Sequence, residues 1–160
     1  GIDTLANLCA AIEKSIPNSR FVFLTREVER IHSHMQESGL GNYDVKMVEN
    51  REVPAYLLSA DFGWMIRPGT IMNRVACPTK ALEYYAAGLP MIISEHVGDL
   101  PEWIRQGANA IVFNGDIELL CNEIKEKLKE RKGNPSGPPQ LLERSNLFEP
   151  LYRVYERVGQ

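Results

Sequence analysis

Between Asp61 and Glu83 the chain carries no acidic residue, yet it carries Arg67, Arg74 and Lys80. The whole chain has a formal net charge of −3, so this stretch reverses the sign locally. It follows an apolar run, Phe62 to Ile66, and leads into a helical pattern that starts at Thr79. A helix N-terminus offers free backbone N–H groups and a partial positive charge. With basic side chains beside it, such a terminus suits a phosphate or diphosphate. Pro78 fits the first helical turn, where its missing N–H costs nothing. A solvated basic loop without a ligand is the competing reading. Glu83 lies one helical turn after Thr79, so the two share a face. A carboxylate there can reach a ligand resting on the helix tip and accept two hydroxyl hydrogen bonds, a natural grip on a ribose cis-diol. The competing reading is a surface Glu stabilised by the helix dipole.

Other chemistry-bearing residues are better explained without catalysis. His32 and His34 are two apart on a predicted helix and do not share a face, so a metal pair is not expected. His96 follows a strand and reads as a polar loop residue. Asp99 and Glu102 form a capping box in Asp-Leu-Pro-Glu, which accounts for both carboxylates. Cys77 adjoins the phosphate-type turn, but no partner base marks it as a nucleophile. The loop Ser94 to Gly98 could reach a ligand in the same cleft.

The elements that must position these residues alternate along the chain. Helical patterns cover Ile2 to Ile16, Glu27 to Leu40, Glu52 to Ser59, Thr79 to Ala87, Asp99 to Gln106 and Asp116 to Arg131. Strand-like runs cover Arg20 to Thr25, Tyr43 to Val48, Phe62 to Ile66, Pro90 to Ile93 and Asn109 to Phe113. Such alternation predicts an α/β fold, a Rossmann-like parallel sheet with helices on both faces. Ligands bind beyond the carboxyl ends of such strands, which places the loops after Val48, Ile66 and Ile93 at any site. Trp64 and Met65 are expected in the core, because parallel strands are buried on both faces. Residues 1–132 form the predicted domain and 133–139 a turn-rich linker. Residues 140–160, with Leu147, Leu151, Tyr155 and Val158 at helical spacing, form a closing segment packed on the same domain.

Composition sets outer bounds. The 160 residues are 44% hydrophobic and 24% charged, enough for one core in a single domain. No apolar run approaches the length of a bilayer crossing. No leader pattern of charged and then apolar residues opens the chain. The negative net charge argues against nucleic acid as a partner. Three cysteines, Cys9, Cys77 and Cys121, have no close spacing, so neither a disulfide framework nor a zinc site is expected, and a reducing cytoplasm fits.

The central stretch resembles a known family. Ala60-Asp-Phe-Gly-Trp-Met-Ile-Arg67, then PTKALEYYAAGLPMI from Pro78, then VGDLPEWIRQGANAIVF from Val97, resemble the donor-binding half of glycosyltransferases of the group 1, or family 4, type. Those enzymes have the GT-B fold. GIDTLANLCAAI at the start resembles the helix after their first strand, and LYRVYERV near the end resembles their closing helix. The resemblance implies a nucleotide-diphosphate sugar, UDP- or GDP-linked, lying across the carboxyl strand ends. It implies that Glu83 is the second Glu of the family's Glu-x7-Glu motif and binds the donor ribose. Pro78, Thr79 and Lys80 would form the turn against the diphosphate. Residues 67–77, with Arg67, Arg74 and Cys77, would cover the sugar and phosphates, and the loop at Glu49, Asn50 and Arg51 would hold the base. Arg67, Lys80 and helix N–H groups would stabilise the diphosphate leaving group. Val75 stands where the motif's first Glu is expected. The resemblance implies transfer to a saccharide or lipid-linked acceptor with retention, without a metal or other cofactor.

In that family a strand precedes the first helix and is central in the sheet. Gly1 falls just inside that helix, so the reading is of an N-terminally truncated fragment, inactive alone. A gap is expected between the strands at Arg20–Thr25 and Phe62–Ile66, to be filled or closed up. The acceptor domain, and any membrane attachment, would belong to the missing N-terminal half. Two further readings compete: an epimerase or phosphorylase on the same fold, and a non-catalytic nucleotide-sugar-binding module.

Overall fold

A computed structural model describes residues 1–72, 79–95, 97 and 110–133. Within them the order is α1 (Ile2–Ser15), β1 (Phe21–Leu24), α2 (Val28–Glu37), β2 (Tyr43–Lys46), α3 (Val53–Ser59), β3 (Gly63–Met65), α4 (Thr79–Ala86), β4 (Met91–Ser94), β5 (Ala110–Phe113) and α5 (Ile117–Gly133). The expected strands are all present, each shortened by one to two residues in total or shifted by one. The helix expected at Asp99 to Gln106 and the segment 140–160 lie outside the described residues. At the expected linker, Lys132 and Gly133 still belong to α5.

Local chemistry sets the element ends. α2 ends with Gly39 at φ 75, where the N–H groups of Gly39 and Leu40 donate to the carbonyls of Gln36 and Met35. α4 ends the same way, with Gly88 at φ 63, and Gly88 and Leu89 donate to Tyr85 and Tyr84. This paired closure needs a left-handed residue after the helix, and glycine adopts that conformation without a Cβ penalty. Leu40 and Leu89, the residues just beyond, are buried and cover the last turns. α5 starts under Asp116, whose Oδ1 accepts from the Leu119 N–H at 3.0 Å, an N-cap bond.

All strand pairs are parallel, but the ladder is interrupted. β1 pairs with β2, and β3, β4 and β5 pair in that order, with no hydrogen-bonded pairing between β1 and β3. The gap expected there is bridged by side chains. Phe21 of β1 and Trp64 of β3 meet as tilted rings with centroids 6.1 Å apart. One core runs beneath both sheets, joining Leu8, Cys9 and Ile12 of α1, Met35 of α2, Phe21, Ile92, Ile111, and Leu120 and Ile124 of α5. The other face of the three-stranded sheet holds a smaller core of Met65, Met91, Ile93, Val97 and Ala81 of α4. Residues therefore alternate across the sheet: Ile92 enters the first core, and Met91 and Ile93 the second. Met65 is buried as expected, and Trp64 is half-buried against the first core.

α4 lies close on β3 because residue 63 is glycine. A Cβ there would stand 2.6 Å from Cδ2 of the Tyr84 ring and 2.8 Å from its Cγ. The Tyr84 hydroxyl donates to the Trp64 carbonyl at 3.3 Å, so the ring is held at both ends. Gly63→Ala is expected to destabilise by roughly 1–3 kcal/mol in urea unfolding. In a Tyr84→Ala background the same change should cost far less, which a double-mutant cycle reads directly.

Burial in α1 pushes the Cys9 thiol from the ordinary 9.0 up to about 12. The unfolded thiol therefore ionises first, and its contribution to stability is complete below pH 9 and lost as pH rises towards 12. Between pH 8 and pH 10 urea unfolding should lose about 1 kcal/mol through this group, and Cys9→Ala should flatten that part of the pH profile.

Candidate functional site

Parallel strands joined by helices bring all their carboxyl ends to one side. On that side of the three-stranded sheet lie the chain leaving β3 at Ile66 and Arg67, the end of β4 at Ser94 and the N-terminal turn of α4; the loop after β2 leaves the carboxyl end of the separate β1–β2 sheet. α4 returns antiparallel to β3, so Thr79 and Lys80 stand at the carboxyl end of the strands and Gly88 at the other.

Arg67 is fixed through its backbone. Its N–H donates to Ser94 Oγ at 3.0 Å, and the same hydroxyl donates to the Arg67 carbonyl at 3.0 Å. The side chain is half-buried, and its guanidinium has no partner among the described residues. Beyond Pro68 the Thr70 N–H turns back onto the Pro68 carbonyl at 2.8 Å. Residues 71–72 are helical, with Ile71 81% and Met72 80% exposed.

Lys80 and Glu83 are exposed on the first two turns of α4, and Ala81 is fully buried beneath them. The first turn holds no acidic residue. Burial, and then the Glu83 charge, raise the Tyr84 hydroxyl above its ordinary 10.0, while the bond to the Trp64 carbonyl acts the other way. Arg74, Cys77 and Pro78 lie outside the described residues, as does the side chain of Thr79. His96, Asp99, Glu102 and Val75 are also outside them.

The loop after β2 is organised around its own groups. The Glu49 N–H donates to Glu52 Oε2 at 2.9 Å, and the Glu52 N–H donates to the Glu49 carbonyl at 2.9 Å. Arg51 Nε sits 2.8 Å from Glu49 Oε2, an exposed pair. Asn50 is exposed at the tip. Of the predicted site residues, the structure thus puts Arg67, Lys80 and Glu83 on the β3–α4 unit. Glu49 and Asn50 sit on the separate β1–β2 sheet, with no hydrogen bond to that unit among the described residues.

Ser94 is the contributor that sequence reasoning passed over. The expected loop starts at Ser94, whereas Ser94 is the last residue of β4 and its hydroxyl bonds the backbone of Arg67 at the exit of β3. The available signal was a hydroxyl at the last residue of a strand whose neighbour departs toward a proline. The histidines have local partners: His32 Nδ1 meets the Tyr43 hydroxyl at 2.5 Å, and His34 Nδ1 lies 2.7 Å from Asp3 Oδ1. Among the described residues no cluster of three metal-ligating side chains occurs, and no helix is long and apolar enough to cross a membrane.

A search of curated proteins and a search of solved structures each found no match. A scan of family models matched residues 1–130 to the glycosyl transferases group 1 family. That match spans the described sheets, the Arg67–Ser94 junction and α4, and its fold agrees with parallel strands flanked by helices: the chain belongs to the group 1 glycosyltransferases.

Proposed function

We propose that this chain is the half of a glycosyltransferase that binds a nucleotide-diphosphate sugar, UDP- or GDP-linked. The full protein would transfer the sugar, with retention, to a saccharide or lipid-linked acceptor held by a second domain. The supporting observation is the junction at the carboxyl strand ends. There Arg67 is held by its backbone at the exit of β3, beside the helix turn that presents Lys80 and Glu83. In this reading Arg67, Lys80, Arg74 and the N–H groups at the start of α4 face the diphosphate. Pro78, Thr79 and Cys77 belong to the same turn. As the bond from the sugar's anomeric carbon to the diphosphate breaks, the electron pair stays with the diphosphate. Fixed positive groups favour that charge without reorganising. Glu83 accepts hydrogen bonds from the two ribose hydroxyls, and the turn at Glu49 and Asn50 meets the base. The reaction needs no cofactor or metal, and the free buried thiols Cys9 and Cys121 suit a reducing cytoplasm.

Calorimetric titration of this chain with UDP and with GDP tests the reading. Saturable binding of one of them is expected. Glu83→Ala should weaken it by roughly tenfold to a hundredfold, the worth of hydrogen bonds to a charged group. Absence of binding to both, or equal binding by Glu83→Ala, would overturn the assignment.

A further inference from the structure

We propose that Ser94 is a positioning residue for Arg67, setting how this chain meets the diphosphate of its nucleotide; the inference rests on the donor-site reading above. The β3–β4 ladder stops at Met65 and Ile93, while β4 stays paired with β5 as far as Ser94 and Phe113. β3 therefore leaves the sheet while β4 is still held in it. Across that divergence the Ser94 hydroxyl takes over, accepting from the Arg67 N–H and donating to the Arg67 carbonyl, both at 3.0 Å. One hydroxyl thus meets both main-chain polar groups of one residue. A single bond would leave the peptide free to pivot, whereas two fix the position and tilt of the backbone that carries the guanidinium.

Two neighbours stiffen the arrangement. Pro68 biases Arg67 towards extended backbone and offers no N–H that could compete for the hydroxyl. Ser94 itself is anchored: Ile93 and Val97 are buried on either side, and the Val97 N–H donates to the Ser94 carbonyl at 3.3 Å. The clip thus connects the central strand β4 to Arg67, the basic residue at the exit of β3. A long side chain such as Arg carries much rotational freedom, and a fixed backbone removes the part that a ligand would otherwise have to suppress.

The test is a binding cycle on the 160-residue chain, using whichever of UDP or GDP binds and the matching nucleoside without phosphates. Ser94→Ala is expected to weaken the diphosphate about tenfold and to leave nucleoside binding unchanged. Ser94→Thr, which keeps the hydroxyl, should restore the wild-type value. In an Arg67→Ala background Ser94→Ala should add little, because the two residues act through one contact. Circular dichroism checks the fold, and Ser94→Cys, nearly isosteric with a weak donor, replaces the alanine variant if that variant unfolds. Wild-type diphosphate affinity in Ser94→Ala, equal weakening of nucleoside and diphosphate, or full additivity with Arg67→Ala would overturn the positioning role while leaving the donor site standing. Failure of the wild-type chain to bind UDP or GDP would overturn the donor site and the positioning role together.

Discussion

The apolar stripe of α1 holds the two sheets to one core, because no main-chain ladder joins β1 to β3. Leu8, Cys9 and Ile12 are almost wholly buried in a cluster that reaches Phe21 on one sheet and Ile92 and Ile111 on the other. α1 also packs against α2 on one side and α5 on the other, and those helices cover β2 and β5 in turn. The arrangement depends on shape and apolar area more than on directional bonds. Burial of this kind stabilises by about 25 cal/mol for each Å² of apolar surface removed from water, and it is sensitive to a single lost methylene. The ring pair of Phe21 and Trp64 is the one place where the facing strands touch through aromatic groups among the described residues.

On top of that core the site is assembled from strand ends. The β3–α4 unit is tight: Gly63 admits the Tyr84 ring, the Tyr84 hydroxyl reaches the Trp64 carbonyl, and Ser94 holds Arg67. The loop after β2 is different in kind. Glu49 spends its carboxylate on Arg51 and its N–H on Glu52, so its charge is offset locally and its shape is set by near neighbours. The contrast separates a unit that carries Arg67 and Lys80 from a turn in which Arg51 is already paired with Glu49.

The alternation of apolar runs and helical stripes made the parallel α/β arrangement legible, and Gly39 and Gly88 marked two helix ends because left-handed closure favours glycine. The charge reversal from Arg67 to Lys80 falls at the carboxyl end of the strands, since in parallel topology the helix that follows β3 starts at that end. Less could be read of how the strands divide. Period-two patterns say which face a residue takes, but not which strand lies beside which, so the split between β1 and β3 was reached only through the family resemblance. The Ser94 bonds were illegible for a related reason: they join residues 27 apart, and only the register of β3 on β4 brings them together. The Glu49–Arg51 pairing was equally hidden, because a two-residue spacing in a turn allows contact without requiring it.

The interruption of the ladder has a consequence for association between molecules. Among the described residues β1 and β3 each turn one flank of N–H and C=O groups away from any strand partner. Such flanks are templates on which another chain can add a strand, the usual route to edge-to-edge aggregation. Val22, 46% exposed on β1, leaves apolar surface on the adjoining sheet face. Brevity counters the hazard, since strands of four and three residues offer few successive bonds to an incoming segment. The ring of Trp64 lying toward Phe21 also occupies part of the space a second backbone would need. The ring pair that closes the core therefore also limits how closely a second backbone can approach these two flanks.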